Sequence, residues 1–330
     1  MTLGSVVASA SRLETLGEGL PALCVVEEFL LVRPDGNAAC VAPGVLGAVA
    51  PELRVLPEST PFQVRSTTRI CTDLSAVASG LSIARRALAE SSADHGARLV
   101  SLGTLPFDAP EPVPGGREAT CACRISVPVP SRDLGAAVLD RCRGWLPTLL
   151  ALTGNSALWR GRDTGWSSHR FVVQGERQTS GLQPQHPTVE FRIADACPTV
   201  ADAVLLAGLC RGLTAVALAR EIAGRPRPDV PDRLLAASAR AAARWGLGAY
   251  VVHPLRAGTA PASVVLDALL GTVLPALDAA GDLPLVTALL QERLRRGSGA
   301  DRQRSLRRRC DRQALVQTLA NACAGVELHG

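Results

Sequence analysis

Two adjacent carboxylates interrupt an apolar run: residues 23–32 read Leu-Cys-Val-Val-Glu-Glu-Phe-Leu-Leu-Val. The run has the length and β-branched content of a strand, and Pro34-Asp35-Gly36 supplies a turn after it. Side chains alternate faces along a strand, so Glu27 and Glu28 point opposite ways. A sheet covered on one face hides at least one of them, and a buried carboxylate needs a metal, an arginine or a proton. The bland alternative is an edge strand with one glutamate in water and the other in a structural ion pair. Three more segments carry charges at alternating positions: Gln63-Val64-Arg65, Cys121-Ala-Cys-Arg-Ile-Ser-Val127, and Thr188-Val-Glu-Phe-Arg-Ile-Ala-Asp195. In the last, Glu190 and Arg192 share one face while Val189, Phe191 and Ile193 share the other; such a pair can equally be a surface ion pair. From Thr153 to Arg170, Gly154, Gly161 and Gly165 bracket Asn155, Arg160, Arg162, Asp163, His169 and Arg170. So many donors suit anionic groups, or a hydrogen-bonded structural loop.

The elements that must position these groups change character along the chain. Strands are expected at 23–32, 62–70, 98–103, 119–129, 168–175 and 187–194. A helix over 74–94 is predicted from the stripe Leu74, Val77, Leu81, Ala84 and Leu88, with Thr72 or Asp73 as cap and Gly96 as stop. A second follows Ser131, with Leu134, Val138, Cys142 and Leu149 inward and a kink at Pro147. Residues 106–117 read as a Pro/Gly loop. Thr199 and Asp202 have capping-box spacing, and helices fit 200–222, 229–245, 261–279, 284–296 and 311–323. Strands early and helices late predict an α+β fold. One domain over 1–330 is expected, strand-rich at 20–195 and helical at 199–325.

Composition removes several chemistries. The chain has 330 residues, 47% hydrophobic and 20% charged, which suits a globular protein. All 35 basic residues are arginine. A lysine nucleophile, a Schiff base and a P-loop lysine are therefore excluded, and no Gly-x-Ser-x-Gly elbow is present. Arginines crowd the stretch from Arg293 to Arg312, which reads as a solvated helical face. Aromatics make up only 3% of the chain and do not interleave with that stretch, which argues against a nucleic-acid stacking platform. The 10 cysteines show no paired metal spacing and are expected to be reduced and mostly buried. No uninterrupted apolar stretch reaches membrane-spanning length and no leader pattern opens the chain, so a cytoplasmic location without membrane contact is expected.

Taken in order, the segments resemble one family, the bacterial type 2 glutamate–cysteine ligases and their carboxylate–amine ligase relatives. The resemblance runs over nearly the whole chain. It is carried by Glu27-Glu-Phe-Leu-Leu-Val32, Cys71-Thr-Asp-Leu74, Leu152-Thr-Gly-Asn-Ser156, Gly161-Arg-Asp-Thr-Gly165, Thr188–Asp195 and Gly299-Ala-Asp-Arg-Gln-Arg304. It implies a glutamine-synthetase-like fold, a curved antiparallel sheet backed by helices with a helical C-terminal region. It also implies ATP as cofactor, with small-molecule carboxylate and amine substrates: the carboxylate becomes an acyl phosphate and the amine attacks it. By resemblance Glu190 and Arg192 are the catalytic candidates, Arg170, Arg302 and Arg304 the phosphate-binding candidates, and Glu28 with Glu190 the candidate ligands for Mg²⁺. The sequence departs from the family where metal chemistry belongs. Its first strand has Val26 in place of a glutamate and Cys24 in place of a glycine; its second has Arg65 for a glutamate; its third has Arg124 and Ser126 for two histidines. The chain is also shorter near 106–117 and 181–187. Two functions stay open: a divergent ATP-dependent ligase, or a non-catalytic relative serving as a regulatory or partner subunit, in homo- or hetero-oligomers with an intact homologue, or as a metabolite binder.

Overall fold

The computed structural model describes residues 20–108, 118–175, 180–183 and 186–326. Strand β1 (Cys24–Val32) is followed by α1 (Ala42–Ala48), β2 (Val55–Pro57), β3 (Gln63–Thr67), α2 (Leu74–Asp94), β4 (Arg98–Val100) and β5 (Cys123–Pro128). Then come α3 (Arg132–Cys142), α4 (Leu146–Thr153), the hairpin β6 (Leu158–Trp159) to β7 (Arg162–Asp163), α5 (His169–Gln174), β8 (Ser180–Leu182) and β9 (Thr188–Phe191). The remainder is largely helical: α6 (Val200–Ile222), α7 (Asp232–Trp245), the pair β10 (Tyr250–Val252) and β11 (Thr259–Pro261), α8 (Ala262–Ala279), α9 (Leu283–Arg296), α10 (Gly299–Arg309) and α11 (Arg312–Ala324). This is the α+β arrangement that the sequence pattern predicts, with the helices gathered toward the C-terminus.

The main sheet is antiparallel at every described pairing. Its order is β2-β3-β1-β5-β9-β8, with β4 on the far half of β1. One face of β1 carries Val25, Glu27 and Phe29 and is buried. Val25 and its neighbours Cys123, Ile125, Val127, Val189 and Phe191 pack with side chains of α2, α3, α4, α6 and α8. Each fully buried apolar side chain of this kind contributes about 1.5–3 kcal/mol. Helix α6 is long and apolar enough to cross a membrane, yet most of it lies among α2, α3, α8 and α9. Its start is fixed as the sequence predicts: Thr199 and Asp202 bond reciprocally in a capping box. Asp73 caps α2 by accepting from the Ala76 amide at 2.7 Å.

Glu27 is satisfied on that buried face by arginine. Arg85 of α2 donates through Nε to Glu27 Oε2 at 2.9 Å and through Nη2 to Oε1 at 2.5 Å. The same guanidinium reaches the carbonyls of Cys197 at 2.8 Å, Pro198 at 3.2 Å and Cys323 at 3.3 Å. Burial pulls the Arg85 pKa down, but the charge and hydrogen bonds of Glu27 outweigh it, and the guanidinium stays charged.

Several local expectations are corrected. Residues 168–175 form no strand: Ser168 accepts from the Phe171 amide and starts the short helix α5, which Gly175 ends at φ +73°. The helix expected after Ser131 is two helices, α3 and α4, joined by a tight turn at Arg143–Trp145. Pro147 sits in the first turn of α4, where its missing N–H costs nothing, so no kink is needed. Helix α10 falls within the C-terminal arginine stretch, between the helices expected at 284–296 and 311–323, and starts at a second capping box between Ser298 and Asp301. Nor is that stretch wholly solvated. Arg293 is buried, pairs with Asp202 at 3.3 Å, and donates to the carbonyls of Leu152 and Gly297. The loop expected at 106–117 lies mostly outside the described residues.

Candidate functional site

The register of the sheet assembles one charged face. Residues directly opposite across antiparallel strands project to the same side. Glu28 faces Arg65 on β3, Val26 faces Arg124 on β5, Cys24 faces Ser126, and Ser126 faces Glu190 on β9. Glu28, Arg124 and Glu190, together with the altered positions Val26, Arg65 and Ser126, therefore share the side opposite Glu27. A cavity of about 150 Å³ opens there, lined by Glu28, Ala122, Arg124, Arg170, Gln174 and Arg192.

Each surviving carboxylate on this face is held by hydrogen-bond donors on both oxygens. Glu28 Oε1 accepts from Arg124, and Oε2 accepts from the Ala122 amide at 2.8 Å. Glu190 Oε2 accepts from Arg192 Nε, and Oε1 accepts from Gln183 at 2.7 Å. Both carboxylates are buried. Arg65, although opposite Glu28 in register, turns to Glu58 at 3.2 Å. Burial lowers the Arg124 pKa, and the neighbouring Arg192 and Arg170 charges push the same way against the pull of Glu190. Burial pushes up the thiol pKa of Cys24, on the same face.

A divalent cation does not fit this donor set. Mg²⁺ is bound by oxygens in near-octahedral geometry, usually with one or two carboxylates free to ligate. Here both carboxylates are committed to guanidinium or amide donors. Among the described residues no group of three or more His, Cys, Asp or Glu side chains is placed to hold a metal. Guanidinium groups pair with both carboxylates that the resemblance offers as Mg²⁺ ligands.

Arg170 plays a different part from Arg124 and Arg192. Its Nε donates to Asp195 at 2.8 Å, Nη1 to Gln174, and Nη2 to the Ile193 carbonyl at 2.6 Å and the Arg192 carbonyl at 3.3 Å. Asp195, fully buried, also accepts from Ser156 Oγ at 2.7 Å, Ser168 Oγ at 2.6 Å and the Asn155 amide at 2.8 Å. This network locks α5 and the Thr153–Ser156 turn against the end of β9. It is so tight that a Cβ on Gly103 would lie 2.9 Å from Ser156 Cβ and 2.9 Å from Asp195 Cγ.

The structure brings Glu28, Arg170, Glu190 and Arg192 together, and leaves Arg302 and Arg304 elsewhere. Arg302 pairs with Asp202 at 3.3 Å. Arg304 pairs with Asp163 at 3.0 Å and donates to the Trp166 carbonyl. Neither lines the cavity. Sequence reasoning missed Gln174, Gln183 and the hub role of Asp195. Asp195 lies three residues beyond Arg192, past the end of β9, so strand alternation gave no signal for it, and the two glutamines carried none either.

The profile of the family described as glutamate-cysteine ligase family 2 matches residues 27–180 and 174–324. A protein of Frankia alni named "Putative glutamate--cysteine ligase 2-2" is 32% identical, over 87% of this chain and 93% of its own. A protein of the same name from Saccharopolyspora erythraea is 34% identical, over 91% and 92%. Among solved structures, a glutamate–cysteine ligase of Francisella tularensis in complex with AMP superimposes with a TM-score of 0.70 at 9% identity, covering 94% of this chain and 90% of that one. The last likeness is one of fold.

Proposed function

The chain belongs to the glutamate–cysteine ligase family 2, and from that premise we propose that it is a member whose cleft no longer runs Mg²⁺-ATP ligation and serves as a binding site. The observation that carries this is the pairing of both surviving carboxylates with guanidinium, Glu28 with Arg124 and Glu190 with Arg192. Acyl-phosphate formation from ATP places several negative charges close together, which divalent cations ordinarily offset. At about 4 Å and an effective dielectric near 20, a guanidinium repels a divalent cation by ~8 kcal/mol. Even after strong screening, that favours an empty metal position. The protein then acts as a partner subunit of an intact homologue or as a metabolite binder. Its ten cysteines are all free, which suits the reducing cytoplasm.

The test is ADP release by the purified chain with ATP, L-glutamate and a panel of amines including cysteine, in Mg²⁺ or Mn²⁺. The expected result is no release above a Glu190→Ala control. Turnover clearly above that control would sink the proposal. One observation favours a second reading, a ligase in which guanidinium supplies the charge: Arg124, Arg170 and Arg192 converge on one cavity. ADP release that persists in chelator and disappears in Arg192→Gln would establish it, with ATP as cofactor and a small carboxylate and amine as substrates.

A further inference from the structure

Arg124 and Arg192 form an arrangement that the protein alone leaves incomplete. The β5–β9 register pairs Ser126 with Glu190 and Ile125 with Phe191. Carried one residue further, it sets Arg192 beside Arg124 on the charged face. Like charges facing each other across a sheet repel, and Arg170 adds a third guanidinium to the cavity wall. Arg170 is saturated by Asp195, Gln174 and two carbonyls. Arg124 and Arg192 are not. Each spends one nitrogen on its carboxylate, and among the described residues no other protein acceptor meets the rest of either guanidinium. Their side chains keep 28% and 33% of their surface exposed, at the lining of the cavity.

The geometry has the features of an oxyanion receptor. Guanidinium forks match the spacing of carboxylate and phosphate oxygens, and charge-assisted bonds of this type are the strong ones. The cavity volume of about 150 Å³ is of the order that holds one benzene-sized molecule. A head group of a few heavy atoms fits within it.

We infer that the cavity is a metal-independent oxyanion site, in which Arg124 and Arg192 close on the carboxylate or phosphate head group of a small ligand. The inference rests on the reading that this cleft holds no divalent cation. It adds the class of molecule bound.

The experiment is calorimetric titration of the full chain in EDTA, with inorganic phosphate in one arm and L-glutamate in the other. Saturable binding is expected in at least one arm, weakened by added NaCl and unchanged by replacing EDTA with Mg²⁺. Phosphate alone identifies a phosphate head group; glutamate alone identifies a carboxylate. The double variant Glu28→Gln/Arg124→Gln removes half the fork while keeping a neutral pair in its place, and should weaken binding tenfold or more. Should that variant fail to fold, phenylglyoxal labelling of the unmodified chain reads the same contact, because the saturating anion should protect Arg124 and Arg192. Equal labelling with and without anion overturns the inference. So does a folded protein that saturates in neither arm. Binding that requires Mg²⁺ overturns both this inference and the loss of metal beneath it, whereas no binding beside a silent ligation assay removes this inference alone.

Discussion

Reversing four of the five altered positions tests the account of the cleft most directly. The variant Val26→Glu, Arg65→Glu, Arg124→His and Ser126→His makes the charged face more negative by one unit at Val26, two at Arg65 and one at Arg124. All four positions lie on the same side of three adjacent strands as Glu28. A divalent cation and one unit charge at about 4 Å interact by ~8 kcal/mol at an effective dielectric near 20. Arg65 and Arg124 are partly exposed, so solvent cuts this severalfold. Retaining only ~1.5 kcal/mol for each unit of charge leaves ~6 kcal/mol, or roughly 10⁴-fold in metal affinity. Removing Arg124 also frees Glu28 Oε1 to ligate. Mn²⁺ binding followed by electron paramagnetic resonance reads the outcome. The unmodified chain should not saturate at millimolar Mn²⁺, and the variant should saturate in the micromolar range. Circular dichroism and the melting temperature establish that the variant is folded. Micromolar binding by the unmodified chain would refute the reasoning, as would a folded variant that binds no better.

Three further outcomes follow from other parts of the molecule. Arg85→Met strands the buried Glu27 and should cost about 3–5 kcal/mol in urea unfolding, with much of it recovered in Glu27→Gln/Arg85→Met; a loss below about 1 kcal/mol would contradict the pairing. A Cβ on Gly299 would sit 2.2 Å from Asn155 Oδ1, whose side-chain amide donates to the Ser101 and Ala196 carbonyls at 2.8 Å. Gly299→Ala should therefore lower stability by about 1–3 kcal/mol, read as a lower melting temperature. Hydrogen bonds from Arg227 and Arg141 hold the Glu221 carboxyl down to about 2, from an ordinary 4.5. Because its folded value is depressed, the stability it contributes is present above 4.5 and is lost as the pH falls toward 2. The urea midpoint of Glu221→Gln should vary less across that window than that of the unmodified protein, and identical profiles would count against the linkage.

How much of this is legible without coordinates depends on how local each signal is. Helices 74–94 and 200–222 are legible to the residue because cap and apolar stripe agree, Asp73 for one and Thr199 with Asp202 for the other. Strand alternation alone separates Glu27 from Glu28, and the structure gives each the arginine partner that burial demands. His169–Gln174 defeats the same reasoning, since Phe-Val-Val favours a strand in isolation while Ser168 and the Asp195 network fix a helical turn. The partner of Arg65 is Glu58, on a segment whose position only the tertiary fold decides. Gln183 reaching Glu190 and Gln174 reaching Arg170 are of the same kind. Arg302 and Arg304 belong to a recognisable motif, yet helix α10 directs them to Asp202 and Asp163.

The Arg85 guanidinium ties together β1, α2, the carbonyls of Cys197 and Pro198 ahead of α6, and the carbonyl of Cys323 in the last helix. Nothing in that knot touches the side of β1 where Glu28 and Val26 lie. Two neighbouring glutamates thus answer to separate demands, one to architecture and the other to chemistry. Substitutions on the chemical side leave the Arg85 knot intact, provided each buried carboxylate there keeps a donor. The strand can therefore change its chemical face while its architectural face stays fixed by Arg85.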